Sequence, residues 1–268
     1  YNDLLGIGTS GLSQQWEEYL KVTVNRPFGF NARYLLLFPP NKETVYPEKT
    51  NYFFLPFVDR SRGNYEQVRN MVQSKFSDVF VDIEPTLIEG KEKYPTYSAA
   101  DTHWSQWGAY RAHLILMTKI AHTLKTNIQP IPLKSVSLGS SVRDDIYRMI
   151  PENSFLRTKV NQFVPEVDIQ LQTLCSVDLL KEIEDYRVYG CSEKSLTVWF
   201  IGDSFGDRLQ TFLRPYFKKT VFMRYASLDF ASHVQMSLQL TGPPDLIIEE
   251  RVERYLPKVY PYKDMSSM

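Results

Sequence analysis

Gly202-Asp203-Ser204 stands directly after an apolar run, 196–201 (LTVWFI), and directly before a segment of helical pattern. A buried strand that turns sharply into a helix projects a hydroxyl from the carboxyl edge of a sheet, where open α/β sheets place their ligands. The free N–H groups and positive dipole end of such a helix suit a developing oxyanion. A plainer role fits the same residues. Ser204-Phe205-Gly206-Asp207 matches a loose Ser-x-x-acid capping box, in which Ser204 only caps the helix.

A serine hydroxyl needs a base within hydrogen-bond reach to become a nucleophile. Asp101-Thr102-His103-Trp104 supplies a histidine for that work and a carboxylate to hold its tautomer. Asp101 and His103 are two apart, so in an extended segment both side chains leave the same side of the backbone. The competing role is local: Asp101 or Ser105 caps the following helix and His103 simply packs. His113 and His122 fall in the helical stretch and His233 in a later polar segment, and all three read as structural or surface groups. No His/Cys/carboxylate set has zinc-ligand spacing. The sequence has neither a phosphate-cradling loop nor a Gly-x-Gly-x-x-Gly after a strand, so neither a metal nor a nucleotide cofactor is called for.

The elements that must position these residues alternate, which predicts an α/β fold with a mainly parallel sheet. Strands are expected at 34–38 (YLLLF), 79–83 (VFVDI), 196–201, 220–225 and 245–248 (DLII). Helices are expected at 64–76, 105–123, 179–186 and 207–216. In the second of these, Trp107, Tyr110, Leu114, Met117 and Ala121 form a helical stripe. The stretch 127–161 is the least regular and reads as an inserted lobe.

At 268 residues the chain can bury one large domain. Basic and acidic residues both number 31, which leaves no electrostatic footprint for nucleic acid. Aromatic residues reach 14%, enough for a large core and also for a sugar-stacking surface. No apolar run approaches the roughly 18 residues that cross a bilayer. Cys175 and Cys191, if joined, close a loop worth about 3 kcal/mol; two buried thiols account for them equally well.

Gly202-Asp203-Ser204 resembles the nucleophile block of the SGNH/GDSL hydrolase superfamily. Asp101-Thr102-His103-Trp104, followed by Gly108-Ala109-Tyr110, is similar to the Asp-x-His block of the SGNH-like bacterial polysaccharide O-acetyltransferases, among them the alginate O-acetylation proteins. The passages from Pro40 to Pro47 (PNKETVYP) and from Pro244 to Glu250 (PDLIIEE), leading to Glu253-Arg254-Tyr255, extend the likeness over roughly positions 34 to 256. Asp101 and His103 here precede the serine, whereas in ordinary GDSL esterases the nucleophile comes first. Lys42 and Tyr46 match a family motif that turn formation or packing explains as well. The Gly and Asn oxyanion blocks of ordinary SGNH enzymes have no counterpart, which leaves the Ser204 backbone N–H as the one oxyanion donor to name.

The resemblance implies a single SGNH-like catalytic domain over 1–268 and transfer of acetyl onto polysaccharide hydroxyls. Ser204 would be the nucleophile, His103 the base and Asp101 its orienting acid. It also implies an acetyl donor supplied by a membrane-bound O-acyltransferase and an extracytoplasmic setting, in the periplasm or at the outer face of the cell membrane. Family members carry more sequence before the position of Tyr1, where an anchor or signal would lie. Trp104, adjacent to His103, is the ring to test for sugar stacking, with a core or hinge role as its alternative. The rival functions are an acetylesterase acting on the same polymers and a non-catalytic polysaccharide-binding scaffold.

Overall fold

The computed structural model describes residues 8–49, 59–99, 101–140, 163–169, 176–227 and 229–259. Along the chain run helix α1 (Leu12–Thr23), strand β1 (Arg33–Leu37), the short helix α2 (Lys42–Val45), α3 (Asn64–Lys75), β2 (Phe80–Val81), α4 (Glu84–Gly90) and α5 (Gln106–Leu124). There follow β3 (Leu133–Ser140), β4 (Phe163–Ile169), β5 (Asp178–Ile183), β6 (Tyr186–Gly190), β7 (Thr197–Gly202), α6 (Gly206–Leu213), β8 (Lys219–Arg224), α7 (Phe230–Thr241) and β9 (Leu246–Glu250).

Seven strands form the central sheet in the order β2-β1-β9-β7-β8-β6-β5. The first five are mutually parallel, and β6 and β5 add on antiparallel. Parallel strands covered on both faces read as continuous apolar runs, as β7 does with every residue buried. Alternate side chains serve opposite faces. Leu35, Leu37, Val198, Phe200 and Ile248 pack with α5 and α6 on one side. Leu36, Trp199, Ile201 and Ile247 pack with α1, α3 and α7 on the other.

The structure departs from the sequence reading in two places. Residues 179–186 are not a helix but span β5, its turn and the first residue of β6, a hairpin in which Ile183 faces Tyr186. Leu179, Leu180 and Ile183 imitate a helical stripe, yet β5 is an edge strand with every residue exposed, so no alternation marks it. Asp185 takes the left-handed turn conformation at φ 62°, which aspartate tolerates better than most residues. Within 127–161, residues 133–140 form a strand that pairs antiparallel with β4, with a register shift between Leu133 and Ser135, and 141–161 lie outside the described residues. In keeping with a structural or surface role, His113 and His233 are buried on helices and His122 is exposed.

Candidate active site

Strand β7 ends at Gly202 and α6 begins at Gly206, so Ser204 occupies a turn of three residues. The turn is held mainly by its neighbour. Asp203 Oδ1 accepts from Phe205 N at 2.9 Å and Oδ2 accepts from Val252 N at 3.0 Å, while Asp203 N donates to Glu250 Oε2 at 2.9 Å. Gly202 is required by this crowding, since a Cβ there would stand 2.6 Å from Glu250 Oε2. Burial pushes the carboxyls of both Asp203 and Glu250 up. Glu250 goes well above the usual carboxylate range, because Asp203 adds its charge while two backbone donors relieve Asp203 itself.

Ser204 does not cap α6: the helix has no side-chain cap, and the serine hydroxyl is turned toward the histidine. Ser204 Oγ lies 2.7 Å from His103 Nε2, and His103 Nδ1 lies 2.7 Å from Asp101 Oδ1. Burial raises the Asp101 carboxyl, but hydrogen bonds from the His103 ring and backbone, with the Arg208 guanidinium nearby, outweigh it and hold the group down to about 2. Asp101 is thus an ionised acceptor, which assigns the proton to Nδ1 and leaves Nε2 to accept from the serine hydroxyl. Ser105 caps α5 by accepting from Gly108 N at 3.1 Å. The cap and the Asp101–His103 contact therefore coexist.

The loop that carries Asp101 and His103 is clamped from α2 and the residues that flank it. Lys42 Nζ donates to the carbonyls of Ser98 and Ala99 at 2.7 and 3.1 Å. Tyr46 Oη accepts from Thr96 N at 2.9 Å, and Tyr97 Oη donates to the Pro40 carbonyl. That segment is itself fastened by the buried Glu253, which accepts from Asn41 N at 2.7 Å and from the Thr44 hydroxyl. Glu249, Glu250 and Glu253 stand in the passage that carries the family likeness, but their burial has no signal in the sequence, where charge at the end of an apolar strand usually marks a solvated end.

Trp104 is fully buried, and its indole N–H donates to the Phe205 carbonyl at 3.0 Å. It offers no face to a sugar, so the stacking expectation gives way to a core role that ties the Asp101–His103 loop to the nucleophile turn. Beside Ser204 opens a cavity of about 250 Å³ at the carboxyl ends of β7 and β8. Arg224, Tyr225, Tyr255, Lys258 and Asp185 line it together with the turn. Cys191 is buried, and Cys175 lies outside the described residues.

Residues 23–250 match the family model of the SGNH hydrolase-like domain of the acetyltransferase AlgX. No curated protein sequence matches the chain. Among solved structures, the O-acetyltransferase domain of Pseudomonas putida AlgJ is 17% identical, with a TM-score of 0.57 over 98% of this chain and 91% of that one. Bacillus cereus PatB1 is 13% identical, with a TM-score of 0.58 over 95% of this chain and 89% of its own. A DHHW family protein from Eubacterium siraeum is 10% identical, with a TM-score of 0.61 over 93% and 86%. At such identities the three structures show a shared fold.

Proposed function

The chain belongs to the SGNH hydrolase-like acetyltransferase family of AlgX, and from that premise we propose that it moves acetyl through an acyl-Ser204 onto hydroxyls of a bacterial polysaccharide. The observation that carries this reading is the unbroken row from Ser204 Oγ through the His103 ring to Asp101, with 2.7 Å at each step. In the first half-reaction Ser204 Oγ attacks the acetyl carbonyl of the donor while His103 Nε2 takes its proton. Collapse of the tetrahedral intermediate expels the donor's leaving group, which receives that proton. In the second half a sugar hydroxyl gives its proton to His103 and attacks the acyl-serine, and the proton returns to Ser204 as the acetylated sugar leaves. The Ser204 amide, which has no hydrogen-bond partner among the described residues, is the oxyanion donor in this scheme.

The cavity beside Ser204 is where the acceptor sugar would lie, against Tyr225 and Tyr255 and within reach of Lys258. The O-acetyltransferase domain of Pseudomonas putida AlgJ, and the acetyltransferase family of AlgX itself, support acetyl transfer to a hydroxyl. A membrane-bound O-acyltransferase as donor, and an extracytoplasmic site of action, complete the reading. Among the described residues no helix is long and apolar enough to cross a membrane.

A transferase must prefer the sugar to water. Water stands at about 55 M, yet well-oriented attack reaches effective molarities of roughly 10⁵ M or more. The test incubates the protein with a chromogenic acetyl ester, with and without oligosaccharides, and follows products by mass spectrometry. Slow hydrolysis alone, acetylated oligosaccharide on addition of acceptor, and loss of both in Ser204→Ala are expected. Fast hydrolysis with no oligosaccharide ever acetylated would make the chain an esterase, and full turnover by Ser204→Ala would remove the acyl-serine altogether.

A further inference from the structure

Helix α6 holds a second group that reaches the catalytic row. Arg208 follows Ser204 by four positions, about one helical turn. Its Nη2 donates to Asp101 Oδ2 at 3.3 Å. Asp101 Oδ1, by contrast, takes both bonds from His103, at 3.0 Å from the backbone N–H and 2.7 Å from the ring. The two carboxylate oxygens are therefore divided, one to the base and one to the cation. The Asp101 side chain is 3% exposed and that of Arg208 22%, so the contact lies largely behind protein rather than in open solvent.

We propose that Arg208 is a positioning residue for acetyl transfer, fixing the carboxylate of Asp101 on His103. The inference rests on the acyl-serine reading above. A carboxylate anchored through one oxygen can swing about its own bond. An anchor on the other oxygen removes that freedom and joins the acid to the helix that grows out of the nucleophile turn. The loop before α5 and the turn after β7 are far apart in sequence, and Arg208 ties the acid of one to the serine of the other.

The guanidinium also has an electrostatic consequence. Against the burial that raises the Asp101 carboxyl, it joins the hydrogen bonds from His103 in keeping that group ionised. Around this pair the described residues place Asp101 on the loop, Arg208 on α6, and Arg254, whose guanidinium lies 5.2 Å from the Phe205 ring centroid on the C-terminal segment. That ring packs 5.1 Å from the imidazole. Without Arg208 the Asp101 carboxylate keeps, among the described residues, only its bonds from His103.

The experiment follows acetyl-ester turnover from pH 5 to 9 for the wild-type protein, Arg208→Gln, Arg208→Lys and Ser204→Ala. Arg208→Gln should lower kcat at least about tenfold with KM little changed. Arg208→Lys should recover part of kcat. A kcat unchanged in Arg208→Gln, or one that Arg208→Lys does not raise, overturns the proposal. If Arg208→Gln does not fold, the cycle of Arg208→Lys with Asp101→Asn decides. Lysine should lower kcat when Asp101 is present and leave it unchanged in the Asp101→Asn background, and equal losses in both backgrounds overturn the idea. Ser204→Ala separates the two readings: if it stays active the acyl-serine fails, and if it is inactive while Arg208→Gln keeps the wild-type kcat only the role of Arg208 fails.

Discussion

Asp101 performs two tasks with one carboxylate, and they respond differently to substitution. It accepts from the His103 backbone, which shapes the loop, and from the ring, which selects the tautomer. Asp101→Asn is nearly the same size and can keep the backbone bond, but its neutral amide neither demands the proton on Nδ1 nor stabilises the imidazolium. Turnover should fall by about 10³ to 10⁴ while the melting temperature barely moves. Adding Ser204→Ala to Asp101→Asn should cost little beyond Ser204→Ala alone, since members of one catalytic unit fail together. Losses that multiply instead would mean that Asp101 acts apart from the serine. Because Asp101 stays ionised down to about 2, an acid limb found between pH 5 and 7 does not belong to that acid.

Among the elements, α2 with its flanking residues works by gripping another loop. Lys42 holds two consecutive carbonyls just ahead of Asp101, and Tyr46 holds Thr96, so the approach to the acid is fixed from outside its own loop. Lys42→Met keeps the aliphatic stem and loses both bonds. It should lower kcat by about 10- to 100-fold with only a modest fall in melting temperature, and Lys42→Arg should restore part of the rate. A large loss of stability with kcat intact in the surviving fold would assign Lys42 to packing. The residues proposed to do the chemistry were legible in the sequence because reaction demands particular types: a serine after a buried strand, a histidine two from an acid. The parallel strands were legible because burial on both faces leaves unbroken apolar runs, as in β7. The hairpin of β5 and β6 was not, because an exposed edge strand has no alternation to read. The burial of Glu249 and Glu253 was not legible because their partners, Tyr19, Tyr34, Asn41 and Thr44, lie more than 200 positions away. Trp104 was misjudged because nearness in sequence to His103 does not say which way a ring turns.

Taken whole, the molecule has two cores divided by the sheet, and the one that backs the candidate site contains a histidine with nothing to bond. His113 on α5 is fully buried among the rings of Tyr110, Phe212 and Tyr216, and neither ring nitrogen has a hydrogen-bond partner among the described residues. Burial alone pulls its pKa down from 6.5 to about 3. A depressed base of this kind stays neutral in the folded protein while the unfolded chain takes up a proton. Its contribution is therefore intact above pH 6.5 and is lost steadily as pH falls toward about 3. At pH 5 the deficit amounts to about 2 kcal/mol, from one and a half pH units at 1.36 kcal/mol each. His113→Phe has a similar flat ring, suits the aromatic surroundings and cannot take a proton. Urea unfolding of both proteins at pH 7.5 and pH 5 should show the variant gaining about 2 kcal/mol on the wild type between the two conditions. The gain should appear whether the substitution is mildly favourable or unfavourable at pH 7.5, because packing changes do not depend on pH over this range. Parallel losses in the two proteins would mean that His113 takes up its proton in the folded state, and the acid sensitivity of this core would then have to come from elsewhere.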